Sequence, residues 1–226
     1  MNDQIDWLRN PALVLPIYTY VDAGHYAGIP AQTIRNWYKG SSRPGHTMLP
    51  VMARPDNKGL SYLQLAEVAF VARMRKRKLR LSAIRNAYWH VRDTLKVEYP
   101  FLMEGLHTNG TELFVEALGS ETGIVNASRG GQLGWRAALT SYFHEFDYTD
   151  HLALRWHPSG RTLSVVIDPR ISFGSPIVEG TGVPTYSVFS RLEAGDDLAT
   201  VERDFNLTSS QVAAAIIFEE NLKRAA

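Results

Sequence analysis

The sequence of 226 residues contains no cysteine. Disulfide bonds, thiolate nucleophiles and cysteine-based zinc sites are therefore excluded. No apolar run approaches the roughly 20 residues that a membrane-spanning helix needs. The opening stretch MNDQIDWLRN also lacks the basic and then apolar plan of a signal peptide. From these absences we expect a cytoplasmic protein without a membrane segment.

The short motifs of several enzyme classes are missing too. The sequence has no HExxH, GxGxxG or GxSxG pattern and no phosphate-binding P-loop. No nucleophile stands beside a base in a recognisable context. We therefore predict no catalytic residue, no cofactor and no enzymatic activity.

Charge is distributed unevenly along the chain. The net charge is only +1, and the fractions of hydrophobic and charged residues, 45% and 21%, are those of an ordinary globular protein. Residues 1–95, however, contain fourteen basic and six acidic residues, a net charge of +8, while the remainder has ten basic and seventeen acidic residues, a net charge of −7. This asymmetry indicates a polyanion as the partner of the first segment and a different partner for the second.

Residues 18–39, YTYVDAGHYAGIPAQTIRNWYK, predict two short helices around a turn at Gly28, Ile29 and Pro30. At about 100° per residue, the second helix separates into an apolar side and a polar side. The apolar side comprises Pro30, Thr33, Ile34, Trp37 and Tyr38, and the polar side comprises Gln32, Arg35, Asn36 and Lys39. The polar side is suited to base edges and phosphates in a major groove. The alternative is an ordinary helical hairpin whose outer side is only solvated.

This stretch and the sequence after it resemble the winged helix-turn-helix of the MerR family. Ala27-Gly28-Ile29 stands where that family has alanine, glycine and a hydrophobic residue before its recognition helix, and Ser61-Tyr62 stands at the helix start after its wing. Residues 39–59, rich in glycine and proline, would form the wing. The resemblance covers residues 18–95 and implies binding to duplex operator DNA. We predict the following DNA-binding residues: Gln32, Thr33, Arg35, Asn36, Tyr38, Lys39, Arg43 and Lys58.

Two longer helices should follow. Ser61 and Gln64 form a capping box at the start of the first, which ends in the basic run Arg73 to Lys78, and Ser82 should cap the second. The basic run could contact DNA or could complement the helix dipole. MerR proteins pair their subunits through a long coiled coil after the DNA-binding segment, and the sequence after residue 95 does not predict one. We expect a homodimer, because two-fold operators bind two copies, and another surface would have to form it.

Residues 96–168 predict a small α+β platform. The predicted strands are Leu113–Ala117, Ile124–Ala127, Ala153–Trp156 and Leu163–Ile167, with a helix at Leu133–Phe146. Aromatic residues here could line a ligand pocket or form the core: Trp135, Phe143, Phe146 and Trp156. A cluster of His144, Glu145, Asp147, Asp150, His151 and His157 could be a metal-dependent nuclease site. No common spacing unites the cluster, so we predict a polar turn and no metal.

Residues 169–226 predict an extended arm followed by three helical patterns. Gly195 separates the first two patterns, and Thr208 with Gln211 forms a capping box for the third. We therefore predict a compact trihelical domain behind the arm.

The arm and the last helix resemble a prokaryotic domain of unknown function, family 433, which occurs in many VapB-type antitoxins. The residues that carry the resemblance are Arg170, Gly174, Pro176, Gly180, Thr181, Val183, Thr185, Gly195 and the Val212–Ile216 segment. It implies a DNA-binding antitoxin that neutralises a PIN-domain (VapC-like) ribonuclease toxin and represses its own operon. The residues expected to bind the toxin are Arg170, Phe173, Tyr186, Lys223 and Arg224.

The sequence therefore predicts an α+β protein with three regions. Residues 1–95 would bind DNA, residues 96–168 would form the platform, and residues 169–226 would contact the toxin. A homodimer or a toxin-antitoxin hetero-oligomer is expected. The alternative is a stand-alone MerR-like regulator whose platform senses a small ligand.

Overall fold

The computed structural model describes residues 10–43, 46–53, 55, 59–102, 139–149 and 152–225. The elements before the sheet are α1 (Pro11–Val14), α2 (Tyr20–Ala27), α3 (Ala31–Lys39), β1 (Ser41–Arg43), β2 (His46–Met48), α4 (Tyr62–Lys76) and α5 (Leu81–Leu95). Those from the sheet onward are β3 (Phe146–Thr149), β4 (Leu152–Trp156), β5 (Val165–Ile167), β6 (Pro176–Val178), α6 (Thr185–Glu193), α7 (Leu198–Phe205) and α8 (Ser209–Ala225). This mixture of helices and sheet confirms the predicted α+β class.

Helices α2 and α3 are the two short helices that the sequence predicted around a turn. A capping box between Thr19 and Asp22 starts α2, and Gly28 ends it at a φ of 65°, a left-handed conformation that favours glycine. Pro30 is the N-cap of α3 and not its first helical residue. The difference is one position, and the turn lies where the sequence predicted it.

A short antiparallel hairpin follows α3 within the predicted loop. Strands β1 and β2 pair in the register Ser41 to Met48 and Arg43 to His46. The hairpin lies where the resemblance to MerR proteins placed a wing. Its side chains lie outside the described residues.

Helix α4 begins at the predicted capping box, in which Ser61 and Gln64 exchange hydrogen bonds. The prediction that Ser82 caps α5 is wrong, because Arg80 is the N-cap and Ser82 lies inside the first turn. Leu79 is 3% exposed, and its N–H donates to the Met74 carbonyl, which fixes the connection between the helices. This buried leucine sets the start of α5 before the serine.

Four antiparallel strands form a sheet in the order β3, β4, β5, β6. Residues 139–143 are helical, but Phe146, predicted to end that helix, belongs to β3 and stacks on Trp156 with ring centroids 6.2 Å apart. The predicted strands near Trp156 and Ile167 are present. The predicted hairpin of Leu113–Ala117 and Ile124–Ala127 lies outside the described residues.

The predicted extended arm is instead folded into the sheet. Strand β6 pairs with β5, so that Val165 faces Val178 and Ile167 faces Pro176. The predicted boundary between Asp168 and Pro169 therefore falls between two paired strands. Helices α6, α7 and α8 follow β6, and the Thr208–Gln211 capping box precedes α8 as predicted.

The main core joins the N-terminal helices to the sheet. It includes Ile34 and Trp37 of α3, Phe70 of α4 and Phe146 of β3, all buried. A smaller core lies among α6, α7 and α8, and Phe218 of α8 packs with Val165 of β5 in a third cluster. In the described part of the chain, no helix is long and apolar enough to cross a membrane.

Candidate DNA-binding and partner-binding surfaces

Helix α3 presents the predicted polar side to solvent. Gln32, Arg35, Asn36 and Lys39 are exposed, whereas Ile34 and Trp37 on the opposite side are 0% and 4% exposed. The Arg35 guanidinium carbon lies 5.2 Å from the centre of the Tyr20 ring, a cation–π distance that limits the motion of the side chain. The Gln32 amide donates to the Asn36 amide oxygen over 3.0 Å. The four polar side chains therefore share one exposed face.

Two other predicted DNA-binding residues are not on that face. Tyr38 is 3% exposed, and burial raises the pKa of its hydroxyl group. The ring packs in the main core and offers almost no exposed surface to DNA. Thr33 is half-buried between the two sides of the helix. Lys58 and the side chain of Arg43 lie outside the described residues.

The basic run at the end of α4 has mixed contacts. Arg73 forms an ion pair with Glu145, whose side chain is 12% exposed. Arg75 donates to the Leu79 carbonyl group and so holds the turn between α4 and α5. Lys76, Arg77 and Lys78 are exposed. Arg73 and Arg75 therefore have partners within the chain, although Arg75 is as exposed to solvent as the three residues that follow it.

The loop before β6 holds an exposed aromatic residue in a strained backbone. Ser172, Phe173 and Gly174 have φ angles of 48°, 53° and 71°. This left-handed conformation costs roughly 1–2 kcal/mol for each residue that bears a Cβ atom. Phe173 is nevertheless 92% exposed. A strained loop that lifts a phenylalanine into solvent is typical of a binding site.

Two hydrogen bonds hold this loop in place. The Tyr18 hydroxyl group donates to the Gly174 carbonyl oxygen over 2.9 Å, and the Ser172 hydroxyl group donates to the Gly182 carbonyl oxygen over 2.8 Å. The first bond ties the loop to the segment that leads into α2, and the second ties it to the segment that leads into α6. Tyr186, another predicted toxin-binding residue, lies in the first turn of α6 and is 68% exposed.

The three basic residues predicted to bind a toxin have partners within the chain. Arg170 donates through Nε and Nη2 to the Asp168 carboxylate over 2.9 and 2.7 Å. The Lys223 ammonium group lies 4.5 Å from the centre of the Phe189 ring and pairs with Glu193, while Arg224 pairs with Glu220 over 3.4 Å. These contacts give each residue a structural role.

The acidic and histidine cluster contains a hydrogen-bonded network. The His157 Nε2 atom lies 3.2 Å from the Asp147 carboxylate, and Arg161 donates to the same carboxylate over 2.7 Å. Although burial opposes ionisation, hydrogen bonds from Arg161 and His157 hold the pKa of Asp147 below its ordinary value. Asp150 and His151 lie outside the described residues. Within the described residues, no group of three or more histidine, aspartate or glutamate side chains could hold a metal ion.

The aromatic residues proposed to line a ligand pocket in the platform belong to the core. Phe143, Phe146 and Trp156 are each 2–3% exposed. Tyr142 packs against both phenylalanines, and Trp156 stacks on Phe146. Trp135 lies outside the described residues. Phe143 and Phe146 therefore serve the core alone, whereas Trp156 also lines a small cleft beside Phe218.

Sequence reasoning missed the roles of Tyr18 and Gly174. Their contact joins residues 156 positions apart. Gly174 is one of the residues that carry the resemblance to family 433, which was the available signal, but the resemblance did not indicate its partner. The positive φ angle of Phe173 had no sequence signal, since phenylalanine rarely adopts it.

Comparisons with known proteins relate the C-terminal part of the chain to one family and the whole chain to one fold. Residues 165–218 match the family described as a protein of unknown function, DUF433, from β5 into α8. This confirms the predicted resemblance to family 433 for that segment. The crystal structure of Rv2018 from Mycobacterium tuberculosis superposes with a TM-score of 0.66 at 20% identity, covering 89% of this chain and 98% of that one. The two chains share a fold.

Two curated relatives come from the same organism. The chain is 24% identical over 225 residues to a Mycobacterium tuberculosis protein named as a candidate antitoxin, VapB45, covering 89% of this chain and 93% of the relative. It is 23% identical over 223 residues to the uncharacterised protein Rv2308, covering 92% of each. The similarity thus extends over nearly the full length of both relatives.

Proposed function

We propose that this protein is a DNA-binding antitoxin that neutralises a PIN-domain ribonuclease toxin in the cytoplasm and represses its own operon. The full-length similarity to VapB45, named as a candidate antitoxin, supports a toxin-antitoxin role. The DUF433 match places the family resemblance in the acidic C-terminal segment. The proposed activity is binding without catalysis.

The exposed face of α3 is the observation that carries the DNA-binding proposal. Gln32, Arg35, Asn36 and Lys39 offer amide and cationic groups on one side of a helix whose other side is buried. Such groups hydrogen-bond base edges and phosphates. The net charge of +8 in residues 1–95 supplies long-range attraction to DNA. We propose that two copies bind a two-fold operator, because one such helix covers too few base pairs for useful selectivity.

The loop with Phe173 carries the proposal for the toxin surface. Aromatic residues supply much of the energy of protein interfaces when a partner buries them. Phe173 and Tyr186 are the most exposed aromatic residues in the described part of the chain. Both side chains would become buried from solvent when the partner binds. The hydrogen bonds of Tyr18 and Ser172 pre-order the loop, which reduces the entropy cost of association.

We separate docking from inhibition of the toxin. Lys223 or Arg224 could inhibit a PIN nuclease by pairing with the carboxylates that hold its metal. Their ion pairs with Glu193 and Glu220 support a simpler role, which is to stabilise the C-terminal end of α8. The docking proposal rests on Phe173 and Tyr186 and does not require the two basic residues.

The test uses the full-length chain and the PIN-domain protein encoded beside its gene. Binding is measured by calorimetry, and inhibition is measured as the loss of RNA cleavage. The double variant Phe173→Ala, Tyr186→Ala should weaken binding at least tenfold, while the control Leu15→Ala, which removes another exposed apolar side chain, should not. A chain cut before Pro169 is a poor test, because it removes the strand that pairs with β5. Unchanged binding by the double variant would reject the proposed docking surface.

A further inference from the structure

A cleft of about 210 Å³ lies where the N-terminal helices meet the C-terminal helix. The last turn of α2 and Gly28 form one side, the end of α4 forms the second, and α8 forms the third. The floor includes Trp156 of β4 and Phe218 of α8, each 2% exposed. This volume is below the range of about 300–1,000 Å³ that is usual for larger ligands, so only a small molecule fits.

The polar groups of the cleft carry an excess of positive charge. Arg73, Lys76 and His25 line it, and Glu145 is the acidic residue among the lining side chains. Glu145 pairs with Arg73, which offsets one cation. No ion pair of the described residues involves Lys76, which is exposed. A Cβ atom at Gly28 would lie 3.1 Å from the Lys76 Nζ atom, so this ammonium group sits at the turn between α2 and α3.

The geometry points to a binding site for a small oxyanion, which we propose to be the carboxylate or phosphate group of a small molecule. A guanidinium group has five N–H donors, and the pair with Glu145 leaves donors of Arg73 for a ligand. The Lys76 ammonium group adds three donors and its charge. The buried aromatic floor lowers the local dielectric constant, which strengthens charge-assisted hydrogen bonds at the site.

A bound anion would bridge elements that are far apart in sequence. Arg73 and Lys76 of α4 would hold it, between the turn that joins α2 to α3 and the cleft wall formed by α8. Because such a ligand binds the folded chain and not the unfolded one, it stabilises the fold by mass action. Its position beside the α3 turn also makes it a regulator of the DNA-binding face. That second statement rests on the proposed function.

The test measures anion binding by the full chain directly. Inorganic phosphate and acetate are titrated separately by calorimetry at constant ionic strength, with chloride as the reference anion, and the melting temperature is recorded at each concentration. Lys76→Gln removes a charge from the cleft, and His25→Gln removes an imidazole ring. The matched control Arg77→Gln removes an exposed charge one residue away from Lys76 that does not line the cleft. Arg73 is left unchanged, because its replacement would leave the Glu145 carboxylate without its ion-pair partner.

We expect phosphate or acetate to bind with a millimolar or lower Kd and to raise the melting temperature of the wild type and of Arg77→Gln equally. Lys76→Gln should weaken that binding at least fivefold, and the double variant with His25→Gln should weaken it further. Equal effects of the anion on Lys76→Gln and Arg77→Gln would overturn the site. So would the lack of binding of both anions in the wild type below about 10 mM.

A DNA measurement separates this inference from the proposed function. Operator affinity is measured with and without saturating phosphate in the wild type and Lys76→Gln. A change in affinity confined to the wild type supports regulation. Loss of DNA affinity in Lys76→Gln without phosphate, with duplex DNA displacing phosphate, would show a nucleic-acid contact and overturn the small-molecule site. If the chain binds no DNA but still binds anions through Lys76, the proposed function fails while the anion site stands.

Discussion

The hydroxyl group of Tyr18 donates a hydrogen bond to the carbonyl oxygen of Gly174 over 2.9 Å and so joins residues 156 positions apart. Tyr18 is 4% exposed, and burial raises the pKa of its hydroxyl group, which therefore remains a donor throughout the physiological range. The bond connects the entry to α2 with the loop that displays Phe173. The proposed DNA-binding and partner-binding surfaces are thus joined by one buried contact.

Gly174→Ala should destabilise the protein strongly. A Cβ atom at Gly174 would overlap the Tyr18 hydroxyl group, and the φ angle of 71° adds strain. The matched control is Gly160→Ala, where φ is 74° but nothing lies within 4 Å of the added atom. In urea unfolding the control should lose about 1 kcal/mol, and Gly174→Ala should lose at least about 2 kcal/mol more. Equal losses would show that the Tyr18 contact does not constrain this position.

Tyr18→Phe tests the hydrogen bond with little change of shape. The variant leaves the Gly174 carbonyl oxygen without its Tyr18 donor in a buried place, which should reduce the free energy of unfolding by about 1–2 kcal/mol. Hydrogen exchange of the amides in residues 171–175 should become faster. Unaltered stability and exchange would mean that packing alone holds the loop.

The pH dependence of stability should contain a contribution from Glu67. This residue of α4 is 2% exposed, and burial raises the pKa of its carboxyl group well above 4.5, against the opposing effects of the Phe101 backbone and the Arg92 charge. The folded chain therefore holds the proton to higher pH than the unfolded chain. Its stability falls as the pH rises above the unfolded value and through the folded pKa.

Glu67→Gln removes that titration. The free energy of unfolding of the wild type should fall relative to the variant as the pH rises above the ordinary value of a glutamate and through the raised folded-state pKa, and the difference should be constant at lower pH. Urea unfolding across this range measures it. A difference that is independent of pH, or one with the opposite slope, would contradict the burial of a neutral Glu67.

The double variant Lys223→Ala, Arg224→Ala should bind and inhibit the toxin within about twofold of the wild type. Both side chains pair with glutamates of α6 or α8, and exposed pairs of this kind contribute only about 0–1 kcal/mol. The melting temperature should change little. Full loss of inhibition with binding retained would instead assign a blocking role to the two basic residues.

Local signals predicted the helical parts of this fold well. The capping boxes of Ser61 with Gln64 and of Thr208 with Gln211 act within one turn, so sequence spacing alone defines them. The spacing of Ile34 and Trp37 likewise predicted the buried side of α3, which in turn defined its exposed face. Tyr38 was predicted both to lie on the apolar side of α3 and to bind DNA, and the structure places its ring in the core.

Long-range contacts set the features that the sequence did not predict. Leu79 is buried, and α5 begins directly after it and Arg80, before the predicted cap Ser82. Strand β6 of the predicted arm pairs with β5 and so belongs to the sheet. The strained conformation of Phe173 depends on Tyr18, which lies far away in the chain. The residue pattern and the composition do not indicate which distant residues will contact one another. The DNA-binding and toxin-binding residues remain predictions.

The most direct test of the central claim is the affinity for duplex DNA from the region upstream of the gene, measured by fluorescence anisotropy. The variants are Arg35→Ala, and alanine at Gln32, Arg35, Asn36 and Lys39 together. The control, Arg203→Ala with Arg224→Ala, also removes two exposed charges but away from α3. Arg35→Ala should lose about 1–3 kcal/mol of affinity for the specific site and should discriminate less against mismatched DNA. The variant with four alanines should bind the specific site no more tightly than unrelated DNA. The control should bind the specific site as tightly as the wild type does. Wild-type affinity and selectivity in the variant with four alanines would contradict the account.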